Sequence, residues 1–313
     1  MPINKKMLTT LRKIIYPKGD FKETYKLERK MINMTHHYVF KPFFKMWDHE
    51  IITDHHSIPV RLFFPNKEGV YPLLIFFHGG GFVVGNIESY SKICSRLANN
   101  LKHIVLSVDY RLAPEHPFPA GLEDCYAVVK EVASHLLLFN HPIEEITLIG
   151  DSAGANLAAA VSLLARERGE FQIARQILIY PATYNDHSDA SPYASVRENG
   201  KDYLLTQERM MNYLKAYVKH EKDLENPYVA PLLATDLENQ PDTLIITAEF
   251  DLLRDEGKAY GERLKQAGNK VEIVEIPNAI HGFLSLPPMF EEVKACYTSI
   301  NHFLNKGRED ESN

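Results

Sequence analysis

Gly150-Asp151-Ser152-Ala153-Gly154 stands where the apolar run "EITLIG" meets the Ala- and Leu-rich stretch "ANLAAAVSLLARE". This is the G-x-S-x-G form in a strand–turn–helix context, the setting in which a serine serves as a nucleophile. The turn must be sharp and its neighbours close, so residues without Cβ on both sides of the serine relieve the crowding. Ser152 Oγ would then lie at the top of a sheet, beside a helix N-terminus whose dipole favours negative charge. The plainer alternative is a serine that only caps that helix. A neutral serine attacks poorly, so the nucleophilic reading requires a base and a carboxylate, following in the chain order Ser, acid, His. "DTLIITAEFDLLRDEG" supplies Asp251 in the loop after a β-rich run, and "VEIVEIPNAIHGF" supplies His281 in the loop after the next. Asp255 and Glu256 fall in the first turn of the following helix, where the dipole alone accounts for an acidic residue. Asp151 adjoins the serine and cannot easily reach behind a histidine facing Ser152, so it is assigned to holding the turn.

A second stretch, "LLIFFHGGGFVVGN" from Leu73 to Asn86, runs from a strand into glycines and has three readings as an anion cradle. A dinucleotide fingerprint needs G-x-G-x-x-G, but Val84 stands where the third glycine should follow Gly79 and Gly81. A phosphate loop needs Lys and Ser/Thr after its last glycine, and Asn86 and Ile87 follow Gly85 instead. An oxyanion hole needs backbone N–H groups from the loop after an earlier strand plus one from the residue after the nucleophile. That reading selects Gly79, Gly80 and Ala153, with Phe82 shaping the space around the substrate.

Residues so far apart can meet only if the intervening elements are a parallel sheet and its crossovers. "PLLIFF", "HIVLSVDY", "EITLIG", "QILIYP", "DTLIITAEF" and "VEIVEIP" are apolar almost throughout and separated by helix-length segments. Such runs read as buried parallel strands of a doubly wound α/β sheet, whose loops at one edge converge. "WDHEIITDHHSIPVRLFFP" alternates and breaks at "DHHS", which predicts an antiparallel hairpin on the N-terminal edge. Residues 1–45 and 184–218 do not fit the alternation and are expected to form a helical cap, leaving 46–183 and 219–305 as a single catalytic core and 306–313 as a charged tail. In the first of these, Met7, Leu8, Leu11, Ile14 and Ile15 share a helical face, expected to pack on the protein itself rather than on a membrane.

The formal charge of −6 gives no basic surplus, which argues against nucleic acid. No signal peptide or run long enough to span a bilayer is evident, so no stable membrane insertion is expected. The three cysteines are odd in number and widely spaced, which fits reduced thiols and a cytoplasmic setting. His36-His37 and His55-His56 lack metal-ligand spacing, and neither a metal nor a cofactor is expected. An exposed edge strand is compatible with a homodimer without requiring one.

Taken together, "HGGGF" (78–82), "DYRLAPEHPFPA" (109–120), "GDSAG" (150–154), "FDLLRDEG" (250–257) and "IHGF" (280–283) make the chain resemble the hormone-sensitive-lipase-like branch of the α/β-hydrolases, the GDSAG-type esterases. The resemblance implies the α/β-hydrolase fold with a helical cap, Ser152, Asp251 and His281 as triad, and Gly79, Gly80 and Ala153 as oxyanion donors. It implies His78 as a brace of that loop and "YRLAPEHPFPA" as a structural turn in which Arg111 and Glu115 pair. One departure stands out: the family commonly has Asp-Pro-Leu at the acid, and this chain has Asp251-Leu252-Leu253, losing a φ restraint. The function expected is a serine carboxylesterase acting on small, short-chain acyl esters. The alternatives are an amide or formamide hydrolase using the same triad, and a ligand-binding receptor that has lost its chemistry.

Overall fold

The computed structural model describes residues 12, 16–17, 19–35, 45–134 and 145–309. The apolar face at Met7 to Ile15, His36-His37 and the chain from 310 onward lie outside them.

One sheet of eight strands organises the molecule, in the order β1-β2-β4-β3-β5-β6-β7-β8. β1 (Met46–Ile52) and β2 (Ser57–Phe63) form the antiparallel edge hairpin, turning at the expected "DHHS", and β2 pairs antiparallel with β4. From there to the far edge, β4 (Ile104–Val108), β3 (Leu73–Phe77), β5 (Ile146–Asp151), β6 (Arg175–Ile179), β7 (Asp242–Phe250) and β8 (Val271–Ile280) are all parallel. β3 and β4 are buried at every position, which is why their sequences show no polar alternation.

Both faces of the sheet are covered. Leu73, Ile75 and Phe77 pack into the layer containing α3 (Ala120–Ser134), α4 (Ala153–Arg168) and α7 (Arg254–Gln266). Leu74 and Phe76 point the other way, into α2 (Ile87–Leu101) and α8 (Glu291–Glu309). This split follows from the two-residue period of a strand. Crossover helices on both faces leave the carboxyl ends of the parallel strands as the place where loops from distant sequence meet.

Among the described residues, three helices lie outside this plan: α1 (Phe21–Thr35), α5 (Ala194–Asn199) and α6 (Gln207–Tyr217). The last two belong to an excursion between β6 and β7 that runs on through short 3-10 turns at Glu221–Glu225 and Pro231–Leu233. The sheet therefore resumes only at Asp242, later than position 219. Among the described residues, no helix is long and apolar enough to cross a membrane.

Candidate active site

β5 runs into Asp151, Ser152 adopts φ 53° and ψ −120°, and α4 begins at Ala153. The turn is tight enough to dictate its glycines. A Cβ on Gly150 would lie 2.4 Å from the carbonyl of Gly154, and one on Gly154 would lie 2.0 Å from the carbonyl oxygen of Phe77 on β3. Ser152 is held in this sparsely populated conformation by its own N–H, which donates to Ile179 O at 2.9 Å across the top of β6. Its side chain makes no capping hydrogen bond to α4, which removes the simple capping alternative.

Ser152 Oγ lies 2.9 Å from His281 Nε2, and His281 Nδ1 lies 2.7 Å from Asp251 Oδ2. A carboxylate can only accept, so the proton sits on Nδ1 and Nε2 is left as the acceptor for the serine hydroxyl. The Asp251 side chain is fully buried while that of His281 keeps 13% of its surface, so the imidazole meets solvent and the carboxylate does not. The second oxygen of Asp251 accepts the N–H of Leu253 at 3.0 Å. Asp255, the rival acid, is engaged elsewhere: it accepts Ser195 N at 2.8 Å and Arg254 Nε at 2.8 Å.

The loop after β3 departs from expectation at one glycine. The N–H of Gly79 donates to Asp151 Oδ1 at 2.8 Å and so is not free to meet an oxyanion. The assignment of Gly79 is therefore corrected. Among the described residues, the N–H groups of Gly80, Gly81 and Ala153 have no acceptor, and that of Ala153 is the orphan donor expected at a helix start. Gly81 carries the unengaged N–H that the sequence reading did not select. The run of three glycines was the available signal, but the choice among them depends on Asp151, which arrives from another strand. Gly80, at φ 122°, is irreplaceable on steric grounds, because a Cβ there would lie 2.1 Å from Val84 O.

Burial makes the surroundings of Asp151 unusual. Removal from water pushes its carboxyl up to about 6, against the opposing pull of the Gly79 N–H, the positive end of His281, and the hydroxyls of Tyr90 and Tyr180. Tyr180 also packs its ring 4.8 Å from that of His281, so one carboxylate ties together the glycine loop, the Ser152 turn and one wall of the His281 ring. His78 braces the loop as expected: its ring stacks on Tyr110 at 4.3 Å, Tyr110 donates to His78 O at 2.6 Å, and desolvation holds the imidazole below its usual pKa.

Three smaller expectations change. Arg111 does not pair with Glu115. Its guanidinium takes Asp124, at 2.8 Å, while Glu115 takes Arg29, also at 2.8 Å, because Asp124 is buried beneath the turn and Glu115 faces α1. Glu256 is more than a dipole residue: fully buried, it accepts Thr183 N, Tyr184 N and His187 Nε2, fastening the excursion after β6 to α7. Phe82 is 1% exposed and stacks on Tyr217 of α6 at 3.8 Å, so its ring is spent on packing against that helix. His56 binds Asp124 at 2.7 Å, and among the described residues no group of His, Cys, Asp or Glu is arranged to hold a metal ion.

The comparisons with known proteins agree with this geometry. A family model described as alpha/beta hydrolase fold matches residues 74–285. The chain is 35% identical over 247 residues to an arylesterase from Saccharolobus solfataricus, covering 79% of each chain. It is 32% identical over 243 residues to an ethyl acetate hydrolase from Pseudomonas putida, covering 76% of this chain and 75% of that one. The solved structure of a hyperthermophilic esterase from the archaeon Pyrobaculum calidifontis superposes with a TM-score of 0.88 at 35% identity, over 98% of this chain and 99% of that one. The chain belongs to the esterase family of the α/β-hydrolase fold.

Proposed function

We propose that the protein is a serine carboxylesterase in which Ser152 is the nucleophile, His281 the general base, Asp251 the carboxylate that steadies it, and Gly80, Gly81 and Ala153 the oxyanion donors. The observation that carries this reading is the unbroken relay from Ser152 Oγ through His281 to buried Asp251, at 2.9 and 2.7 Å. His281 Nε2 takes the hydroxyl proton as Oγ bonds to the ester carbonyl carbon, and the carbonyl electrons move onto the oxygen facing the free N–H groups. Collapse of that intermediate expels the alcohol, which takes the proton back from His281. Water then repeats the sequence on the acyl-enzyme and releases the acid.

Small, short-chain acyl esters are the substrates this reading favours. Its support is the cap we assign to α1, α5 and α6: Tyr213 and Tyr217 of α6 pack directly on Gly81 and Phe82, leaving bulk close to the nucleophile. The ethyl acetate hydrolase among the relatives accords with this choice. Buried, unpaired Cys94, Cys125 and Cys296 favour a reducing, cytoplasmic setting.

Labelling with a fluorophosphonate tests the nucleophile, with Ser152→Ala as the comparison. Labelling confined to the unaltered protein is expected, and an unaltered protein that takes no label would exclude the mechanism. Matched acetate esters and formanilides test the substrate class. Amide turnover equal to or above ester turnover would replace esterase by amidase.

A further inference from the structure

The loop that offers the oxyanion donors is conformationally costly. Gly80, Gly81, Phe82 and Gly85 all have positive φ, and Phe82 pays a steric penalty at 64° that glycine would not. Such a conformation persists only if surrounding contacts over-determine it. Within the loop, Gly80 O accepts Val83 N and Val84 N at 3.1 and 2.9 Å, and Phe82 O accepts Ala113 N at 2.9 Å. The carbonyl of Val83 is met from outside, by a residue of α1.

Arg29 Nε donates to Val83 O at 2.6 Å, and its Nη2 donates to Ala113 O at 2.8 Å. One guanidinium thus links the oxyanion loop to the turn that hydrogen-bonds it. Glu115 holds the other side of the fork, accepting Nη1 at 3.0 Å and Nη2 at 2.8 Å, and the cation lies 5.4 Å from the centre of the Tyr25 ring. The planar fork suits these several acceptors in a way that a lysine ammonium cannot.

The preceding residue reaches the same loop by another route. Successive residues of a helix point about 100° apart, so Glu28 faces α6 while Arg29 faces the loop. Glu28 is fully buried, pairs with Arg209 at 2.5 Å and accepts the hydroxyl of Tyr213. The Tyr213 ring rests against Gly81: a Cβ built there would lie 2.3 Å from it.

We propose that Glu28 and Arg29 form a clamp through which α1 positions the N–H groups of Gly80 and Gly81, making both of them positioning residues for ester hydrolysis. The proposal rests on the oxyanion role assigned above. A donor misdirected by a fraction of an ångström still admits substrate but stabilises the developing charge poorly, so the loss belongs in kcat.

The test compares the unaltered protein with Arg29→Lys, Arg29→Gln and Glu28→Gln, after thermal melts establish the folded fraction. Readouts are kcat and KM on a short-chain ester and Ki for a trifluoromethyl ketone. That ketone bonds to the serine as a hemiketal whose oxygen carries the charge, while the serine proton passes to the histidine. For the Arg29 variants, kcat is expected to fall roughly 10- to 100-fold, with KM within about threefold and Ki rising in parallel with the loss in kcat. Glu28→Gln, which keeps an acceptor for Tyr213, is expected to lose about three- to tenfold by the same split. An unchanged kcat overturns the clamp, as does a fall in kcat with unchanged Ki. Should the Arg29 variants fail to fold, Glu115→Gln loosens the guanidinium from its exposed side, and the clamp requires the same parallel shift on a smaller scale. Ser152→Ala separates the two levels: if it retains turnover, the serine mechanism falls and the clamp with it, whereas if it abolishes turnover, the Arg29 variants judge the clamp alone.

Discussion

In the mechanism proposed above, the loops after β3 and β7 both serve Ser152, and they are built on opposite principles. The first contributes backbone N–H groups, so its function lies in the direction of its peptide planes, and it is fixed from outside by Asp151, Arg29 and the Tyr213 ring. The second contributes a side chain, Asp251, whose carboxylate is held locally by the N–H of Leu253, two residues on. A backbone donor cannot be re-aimed without moving the chain, while a carboxylate can swing about two dihedrals and still find its histidine. The β3 loop should therefore tolerate almost no change of shape, and the β7 loop almost no change of charge.

Substitutions that alter charge and shape separately should affect the two loops differently. Asp251→Asn preserves the shape of the acid but presents His281 with the wrong partner. By analogy with other serine triads, kcat is expected to fall about 10⁴-fold with KM little changed. Gly80→Ala changes no charge, yet its Cβ would lie 2.1 Å from Val84 O, so the loop must open and donors be lost. Steady-state kinetics should show roughly a 100- to 1000-fold loss in kcat, the magnitude associated with one oxyanion donor. If Gly80→Ala were near neutral while Asp251→Asn was crippled, the claim that the β3 loop is shape-limited would be wrong.

The same contrast explains what could be read from the residues alone. The meeting of Ser152, Asp251 and His281 was legible because each follows a recognisable apolar strand, and parallel topology brings such loops to one edge. The fold was legible for the same reason, its strands being apolar enough to lose their alternation. The choice between Gly79 and Gly81 was not, because it is made by the Asp151 side chain coming from β5. Glu256 looked like an ordinary first-turn acid, since nothing local announces that Thr183, Tyr184 and His187 will close over it. Arg29 belongs to no motif at all. Side chains that act across the sheet leave no periodic trace.

Asp151 is a charged group that holds the shape-limited loop. Its native pKa near 6 stands above the ordinary value of 3.8 because burial disfavours the anion. The native state therefore holds this proton more tightly than the unfolded chain does. The associated stability is complete below about pH 4 and is lost as pH rises through 6. Asp151→Asn, which stays neutral, should lack this component. Urea unfolding at pH 4 and pH 7 is expected to show the unaltered protein losing on the order of 3 kcal/mol relative to the variant. An equal difference at both pH values would mean that Asp151 ionises without cost, so that its bonds to Gly79 and the two tyrosines fully offset its burial.

The β7 loop lacks a proline after Asp251. Leu252 leaves φ unrestrained after the acid, and the excursion after β6 supplies substitutes: Ser195 Oγ donates to Leu252 O at 2.8 Å and accepts Asp255 N at 3.2 Å, while Asn199 Nδ2 donates to Asp251 O at 3.2 Å. Ser195 is itself fully buried, so Ser195→Ala leaves two partners unsatisfied where water is scarce. Chemical denaturation should register about 1–2 kcal/mol of lost stability, within the range for breaking a buried hydrogen bond. Activity is a different matter, because Leu253 N still fixes the carboxylate of Asp251. Turnover at a temperature where the variant is fully folded is expected to fall no more than about threefold, since none of the remaining bonds to His281 is touched. A loss as large as that of Gly80→Ala would show that the acid loop, too, depends on its shape, and that Ser195 has taken over the restraint a proline would have given.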